Sequence, residues 1–386
     1  MHQTTQRWTQ AAWIRFISVL CAAITLVGLT GCSGNAGPER PATAVEQVPE
    51  YYPADYQGII DAAKNEGGQL TIYSSTDEEN WAPIIERFKE KFPFVTDVSA
   101  LNMESDEIFQ RQLAEIGSGN APADLLVSPS AAAWVNFIEQ RPDGIQQYES
   151  PEVGQLPGVA VSLPGVYAMS VDPQVLAYNT SLVPEELTSW GDLAEFMKTS
   201  GEDFNGKLGV RAPDLSSFNF TVQHALLTAK PELWTSYDAF IAAGRPETST
   251  GSISEKVLAG EYAAAVFATA GAALPVAQQS GGLFKLVIPS DGVVVLSRSA
   301  GIPSPAPHPN TAKLFLDFIL SEEGQQAVQD GGLASYREGI VSDGESWSYQ
   351  DVIAEVGESA VVVVPYEAVS AQASDAFLAK WAAAKS

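Results

Sequence analysis

From Leu70 onward the chain alternates short apolar runs with segments whose apolar residues recur three and four positions apart, and each change of period marks an element boundary. "LTIYS" (70–74) predicts a buried strand. "DEENWAPIIERFKEKF" (77–92) predicts a helix with Trp81, Ile84, Ile85 and Phe88 on one face and Pro93 at its end. "FVTDVSALN" (94–102), "ESDEIFQRQLAEIGSG" (104–119), "ADLLVS" (123–128) and "AAAWVNFIEQ" (131–140) repeat strand, helix, strand, helix. The segment 166–179, "VYAMSVDPQVLAYN", reads as two strand-like halves around Asp172-Pro173, a crossing between lobes. Beyond it the logic recurs: helix 187–197, strand 206–212, helix 216–229, strand 261–269, a helical turn over 271–281, return strands over 283–303, paired helices over 309–332 and a last amphipathic helix over 374–385. Such alternation is the signature of α/β layers with mostly parallel pairing.

Four of the predicted strand-to-helix junctions carry hydroxyls: Ser74, Ser75 and Thr76; Ser128 and Ser130; Ser216 and Ser217; and Thr269. A helix start leaves backbone N–H groups without intrahelical partners at the positive end of the helix dipole, so hydroxyls there either cap the helix or donate to an anion. Capping alone accounts for a single case, and Thr76-x-x-Glu79 has the form of a capping box. Two junctions precede the crossing and two follow it, however, and ligands of open sheets bind outside the carboxyl ends of the strands. The four would converge on one interlobe cleft. Arg211 and Arg337 are candidate counter-charges for an anionic ligand, and Tyr73, Trp134, Tyr167, Tyr178, Phe218 and Tyr336 are candidate aromatic lining, with core packing the plainer role for Trp134 and Phe218.

The N-terminus departs from this pattern. Arg7 and Arg15 precede the apolar run Phe16–Leu29, too short to span a bilayer comfortably but suited to a secretory signal, which ends in "LTGC" (29–32). That motif resembles the bacterial lipobox, so residues 1–31 are expected to be removed and Cys32 to carry a lipid. Cys21 lies in the signal, which leaves the mature chain without a disulfide or a free thiol. Residues 32–56, rich in Pro, Gly, Ala and polar residues, read as a flexible tether, and a short helix within 58–68 leads to the first strand.

At 386 residues and 45% hydrophobic the chain is long enough for two compact lobes. Its formal charge is −26, and without residues 1–31 (21 basic residues less Arg7 and Arg15, against 47 acidic) it is −28. That sign argues against nucleic acid or an anionic membrane surface as partner. The mature chain retains just His224 and His308, and no G-x-S-x-G, S-x-x-K or H-E-x-x-H sequence occurs, which leaves hydrolase chemistry little to work with. His224 reads as a partly packed helix residue and His308, between two prolines, as a loop residue. Asp77, Glu78 and Glu79 favour the helix dipole and need no acid/base role.

The stretches 70–93, 123–134, 166–193, 257–273 and 307–332, in this order, resemble the extracellular solute-binding proteins of bacterial ABC importers, the branch holding ferric-iron and phosphonate or phosphate-ester binders. Tyr178-Asn179 and His308-Pro309-Asn310 are the most telling parts. The resemblance implies a two-lobe α/β periplasmic-binding-protein clamshell of type II-like form with crossing hinge strands: 57–168 and 288–386 as the first lobe, 169–287 as the second. It further implies a monomer that closes on a small solute and delivers it to a permease and its ATPase, with no catalysis, cofactor or resident metal. Tyr336 and Arg337 resemble a segment that faces the cleft in some relatives. Iron binders of the branch carry adjacent tyrosines where this sequence has Ala268-Thr269, so an oxyanion such as a phosphonate, phosphate ester or carboxylate is the expected ligand, with ferric iron or a ferric chelate as the alternative. A secreted lipoprotein hydrolase, or a sensory or scaffold protein, remains the alternative of another class.

Overall fold

The computed structural model describes residues 48–340, 342 and 346–385. The signal segment, Cys32 and all but the end of the expected tether lie outside the described residues. The first half of the chain runs α1 (Gln57–Lys64), β1 (Gln69–Ser74), α2 (Glu78–Lys91), β2 (Asp97–Asn102), α3 (Ser105–Ser118), β3 (Leu125–Ser128), α4 (Ala131–Gln140), β4 (Val161–Leu163) and β5 (Val166–Asn179). It continues as α5 (Trp190–Ser200), β6 (Leu208–Arg211), α6 (Ser217–Ala229), α7 (Trp234–Ala243), β7 (Gly244–Glu247), α8 (Thr250–Leu258), β8 (Ala264–Thr269), α9 (Ala270–Gln279) and β9 (Phe284–Val287). The last elements are β10 (Val293–Gly301), α10 (Pro309–Leu320), α11 (Glu322–Asp330), α12 (Tyr349–Val356), β11 (Val361–Val363) and α13 (Ala371–Lys385).

The strands follow the order β2-β1-β3-β10-β5-β8-β6-β7, with β11 beside β10, and β4 and β9 beside β5. Pairing is parallel within β2-β1-β3 and within β8-β6-β7, whereas β5 and β10 run antiparallel to their neighbours in this order. The parallel strands are covered on both faces, which explains their continuous apolar runs: Leu125 and Val127 pack into one core layer and Leu126 into the opposite one.

The expected crossing is a single buried strand of 14 residues. The first half of β5 pairs with β10 and β4, and from Gln174 onward its partners are β8 and β9. Pro173 sits at the changeover: it is the last residue of β5 in register with β10, and Gln174 after it is paired with β8. The fold is thus the two-lobe clamshell of periplasmic binding proteins, with β5 shared by both lobes.

The C-terminus departs from the expectation that all of 288–386 joins the first lobe. Phe377 and Trp381 of α13 are buried in the second lobe's core, with Phe377 5.4 Å from the ring of Trp234 just ahead of α7's Tyr237 and Phe240. The apolar positions of a lone amphipathic helix say that it must dock, not where. Among the described residues, no helix is long and apolar enough to cross a membrane.

Candidate functional site

The carboxyl ends of the parallel strands in both lobes open on one cavity of about 510 Å³. Ser75, Asp77, Asn102 and the start of α3 line it from the first lobe, and Arg211, Ser216, Phe218, the start of α8 and Thr269 from the second, with Arg298 of β10 between them. A larger depression of about 1090 Å³ lies along α2 and the edge strand β2, but it is confined to the first lobe and lined largely by exposed carboxylates and apolar side chains.

The two junctions of the first lobe use one device. Ser74 ends β1, and its hydroxyl accepts from the N–H of Thr76 at 3.0 Å and from Trp81 Nε1 at 3.2 Å. Ser128 ends β3 and likewise accepts from the N–H of Ser130 at 3.2 Å, while Ser130 caps α4 by accepting from the N–H of Ala133 at 3.3 Å. These hydroxyls turn the chain, which is what short polar side chains do where a strand gives way to a helix. Ser75 is left facing the cavity, where its hydroxyl accepts from Ser105 at 3.3 Å. The capping box expected from Thr76 is absent: Asp77 is the N-cap of α2, and the Thr76 hydroxyl instead accepts from Arg298 Nη1 at 3.0 Å. A tertiary partner outcompetes the local one because a buried guanidinium must find acceptors.

Arg298 is 5% exposed. Its Nε pairs with Asp172 of β5 at 3.1 Å, and Asp172 also accepts from Ser170 Oγ and from the N–H of Ala334. Nη1 reaches the carbonyl of Ser75 at 3.3 Å, so one side chain ties the first junction to the shared strand. Sequence reading missed this residue, although a lone arginine within "VVVLSRSAG" was its signal: a charge inside an apolar strand requires a buried partner.

Arg211 ends β6 and is 6% exposed. Its Nε donates to Asn219 Oδ1 at 2.9 Å and its Nη1 to Thr250 Oγ1 at 2.6 Å, while the guanidinium lies 5.2 Å from the Phe218 ring centroid. Thr250 in turn accepts from the N–H of Thr269 at 3.1 Å, linking the β6 and β8 junctions through α8. Unlike Arg298, Arg211 forms no ion pair with a carboxylate among the described residues. Burial pushes its guanidinium down to about 10, offset in part by the charge of Glu104 across the cavity.

Thr269 donates to Gln174 Oε1 at 3.3 Å and stands at the start of α9 without capping it. Two residues earlier Phe267 adopts φ 61°, alone among the described non-glycine residues in having a positive φ, where β8 bulges against β5. Its ring stacks on Trp190 at 5.0 Å, and the bulge sets the direction of the strand end that carries Thr269.

Of the sequence-derived candidates, the structure brings Ser75, Arg211, Ser216 and Thr269 to one cavity, together with Phe218. Ser217 faces Ser130 at 2.9 Å and donates to Asp106, spanning the cleft without lining the cavity. Tyr336 and Arg337 are elsewhere: the Tyr336 hydroxyl donates to the carbonyl of Ala168, and Arg337 is held by Glu152 and the carbonyl of Leu320. Tyr73, Trp134, Tyr167 and Tyr178 are core residues. His224 stacks on Phe220, and His308 is bound to the buried Asp124 at 3.0 Å; neither lines the cavity. The start of α8 was also missed, since Pro246 masks the short strand before "TSTGS".

Two lobes hinged on a shared strand, with strand ends and helix starts converging on the space between them, define a solute-binding protein of the clamshell class. The chain belongs to the bacterial extracellular solute-binding proteins, whose family profile matches residues 83–355. Among solved structures it is similar to the substrate binding protein of an ABC transporter from Agrobacterium tumefaciens, with 20% identity, a TM-score of 0.73, and 83% of this chain and 96% of that chain covered. It is also similar to iron-bound HitA from Pseudomonas aeruginosa (18% identity, TM-score 0.60, 82% and 99% covered). A third is AfuA from Actinobacillus pleuropneumoniae with fructose-6-phosphate bound (18% identity, TM-score 0.58, 76% and 95% covered). No curated protein matches the sequence.

Proposed function

We propose that this protein is the solute-capturing component of an ABC importer and that its solute carries a small oxyanion, a phosphonate, phosphate ester or carboxylate. The observation that carries the reading is Arg211: a guanidinium 6% exposed, facing the cavity, held by neutral partners at Nε and Nη1, and without a carboxylate partner among the described residues. A buried charge left uncompensated is costly, and an oxyanion bound in the cleft supplies the missing counter-charge. Ser75, Ser216 and Thr269 add hydroxyl donors around it. Ferric iron is the weaker reading, because no tyrosine, histidine or cysteine is among the lining residues and, among the described residues, no three His, Cys, Asp or Glu side chains are grouped so as to hold a metal ion. The solute is held between the lobes of a monomer anchored through Cys32 and passed to a permease.

Calorimetry across phosphonates, phosphate esters and carboxylates, run beside a ferric-citrate titration followed in visible absorbance, tests both readings. Anion binding that is lost in Arg211→Met is the expected result. A tight, coloured ferric complex would overturn it.

A further inference from the structure

The charges around the cavity do not suit a plain anion. Two arginines line it, and Arg298 is already neutralised by Asp172, whereas Asp77, Glu104 and Glu107 line it from the opposite lobe. A ligand bearing only negative charge would satisfy Arg211 and at the same time be repelled by three carboxylates at the cavity wall.

Glu104 and Glu107 stand at the start of α3, where acidic side chains favour the helix dipole. That accounts for their sign but not for their aim. Glu104 is the N-cap residue, yet its side chain makes no capping bond and it lines the cavity opposite Arg211. Its negative charge favours the protonated guanidinium of Arg211. The cavity is therefore polarised: a buried, carboxylate-free guanidinium on the second lobe faces solvated carboxylates on the first, with a polar wall of hydroxyls between.

Resting on the oxyanion reading above, we infer that the natural solute is zwitterionic, with its oxyanion on Arg211 and a cationic amine directed at Glu104 and Glu107. Such a ligand complements both lobes at once. Its two charged ends would draw the lobes together, since each end is satisfied only when the cleft is shut.

Two matched pairs of probes separate this inference from the reading it rests on: ethyl phosphate against phosphoethanolamine, and propionate against β-alanine, each titrated by calorimetry into the wild type, Glu104→Gln and Glu107→Gln. In at least one pair the amine-bearing member is expected to bind tenfold or more tightly, and that advantage to collapse in Glu104→Gln while binding of the plain anion holds or improves. Equal affinity within both pairs overturns the zwitterion inference and leaves the oxyanion reading standing. An amine advantage that survives both substitutions overturns the assignment to α3. Failure of all four probes to bind the wild type counts against both readings.

Discussion

Asp106 of α3 reaches across the cleft to Ser217 at the first turn of α6, where its carboxylate accepts from the Ser217 hydroxyl and from the Ser217 N–H at 3.3 Å. The helix start that sequence reading offered to a ligand is thus taken by the protein's own anion, as expected where unpaired N–H groups meet a carboxylate. With Ser130 Oγ 2.9 Å from Ser217 Oγ, the contact joins α3, α4 and α6 and latches the two lobes.

Removing that latch opens the cleft. Asp106→Ala is expected to weaken solute binding by about 1–2 kcal/mol, the scale of a lost charge-assisted hydrogen bond, with most of the change in the dissociation rate. Small-angle scattering at saturating ligand will show a larger average dimension than the wild type. Unaltered affinity and scattering would mean that Asp106 does not contribute to closure.

Arg211 separates binding from stability. Arg211→Met is expected to lose about 2 kcal/mol or more of oxyanion affinity, while ligand-free thermal stability holds or rises because a buried, uncompensated charge is gone. Because burial pushes the guanidinium down to about 10, it is protonated at neutral pH; affinity for a carboxylate probe, whose charge is constant over this range, stays level from pH 6 to 9 and falls as pH passes about 10. Scanning calorimetry and pH-dependent titrations report the two halves.

Arg298 behaves in the opposite way. Its pairing with Asp172 is buried on both sides, so Arg298→Ala strands a carboxylate in the strand that both lobes share. A loss of about 3–5 kcal/mol in denaturant unfolding is expected. A loss below 1 kcal/mol would show that water reaches Asp172 once the arginine is removed.

Asp317 of α10 makes the fold sensitive to pH. Tyr56 and Tyr148 each donate to its Oδ2 at 2.6 Å, and burial pushes the carboxyl up to about 7, opposed in part by the hydroxyls of Ser150, Tyr148 and Tyr56. The folded state holds the proton that the unfolded chain releases near pH 4, so this contribution is full below about pH 4 and is lost as pH rises to about 7. Wild-type stability should fall over that window by about 1–4 kcal/mol, and Asp317→Asn should flatten the profile. Urea denaturation at several pH values reads the difference.

The anchor is tested through the N-terminus. Cys32→Ala is expected to move the protein from the membrane fraction to the soluble exported fraction without altering ligand affinity. Membrane association that persists in the variant would sink the lipoprotein reading.

Periodicity alone carried most of the architecture. Buried parallel strands must be continuously apolar and amphipathic helices must repeat every three or four residues, so β1, β3, β6, β8 and the helices after them were legible as local patterns. So were the hydroxyl-bearing junctions and the position of Arg211 at the end of a strand, because both are local features of the pattern. What the hydroxyls do was decided in two ways. Ser74 and Ser128 turn the chain locally, each accepting from the N–H two residues on, whereas Thr76 serves Arg298 and Ser217 answers Asp106 from the other lobe, partners 222 and 111 residues away. Tyr336 and Arg337 were set apart from the cleft by the same long-range packing, and α13 was docked on the second lobe by Trp234. Local sequence constrains backbone dihedrals and the face that must be buried; it carries no record of which distant side chain will meet that face. Only the closed chain brings a guanidinium at the end of β6 opposite the carboxylates that begin α3.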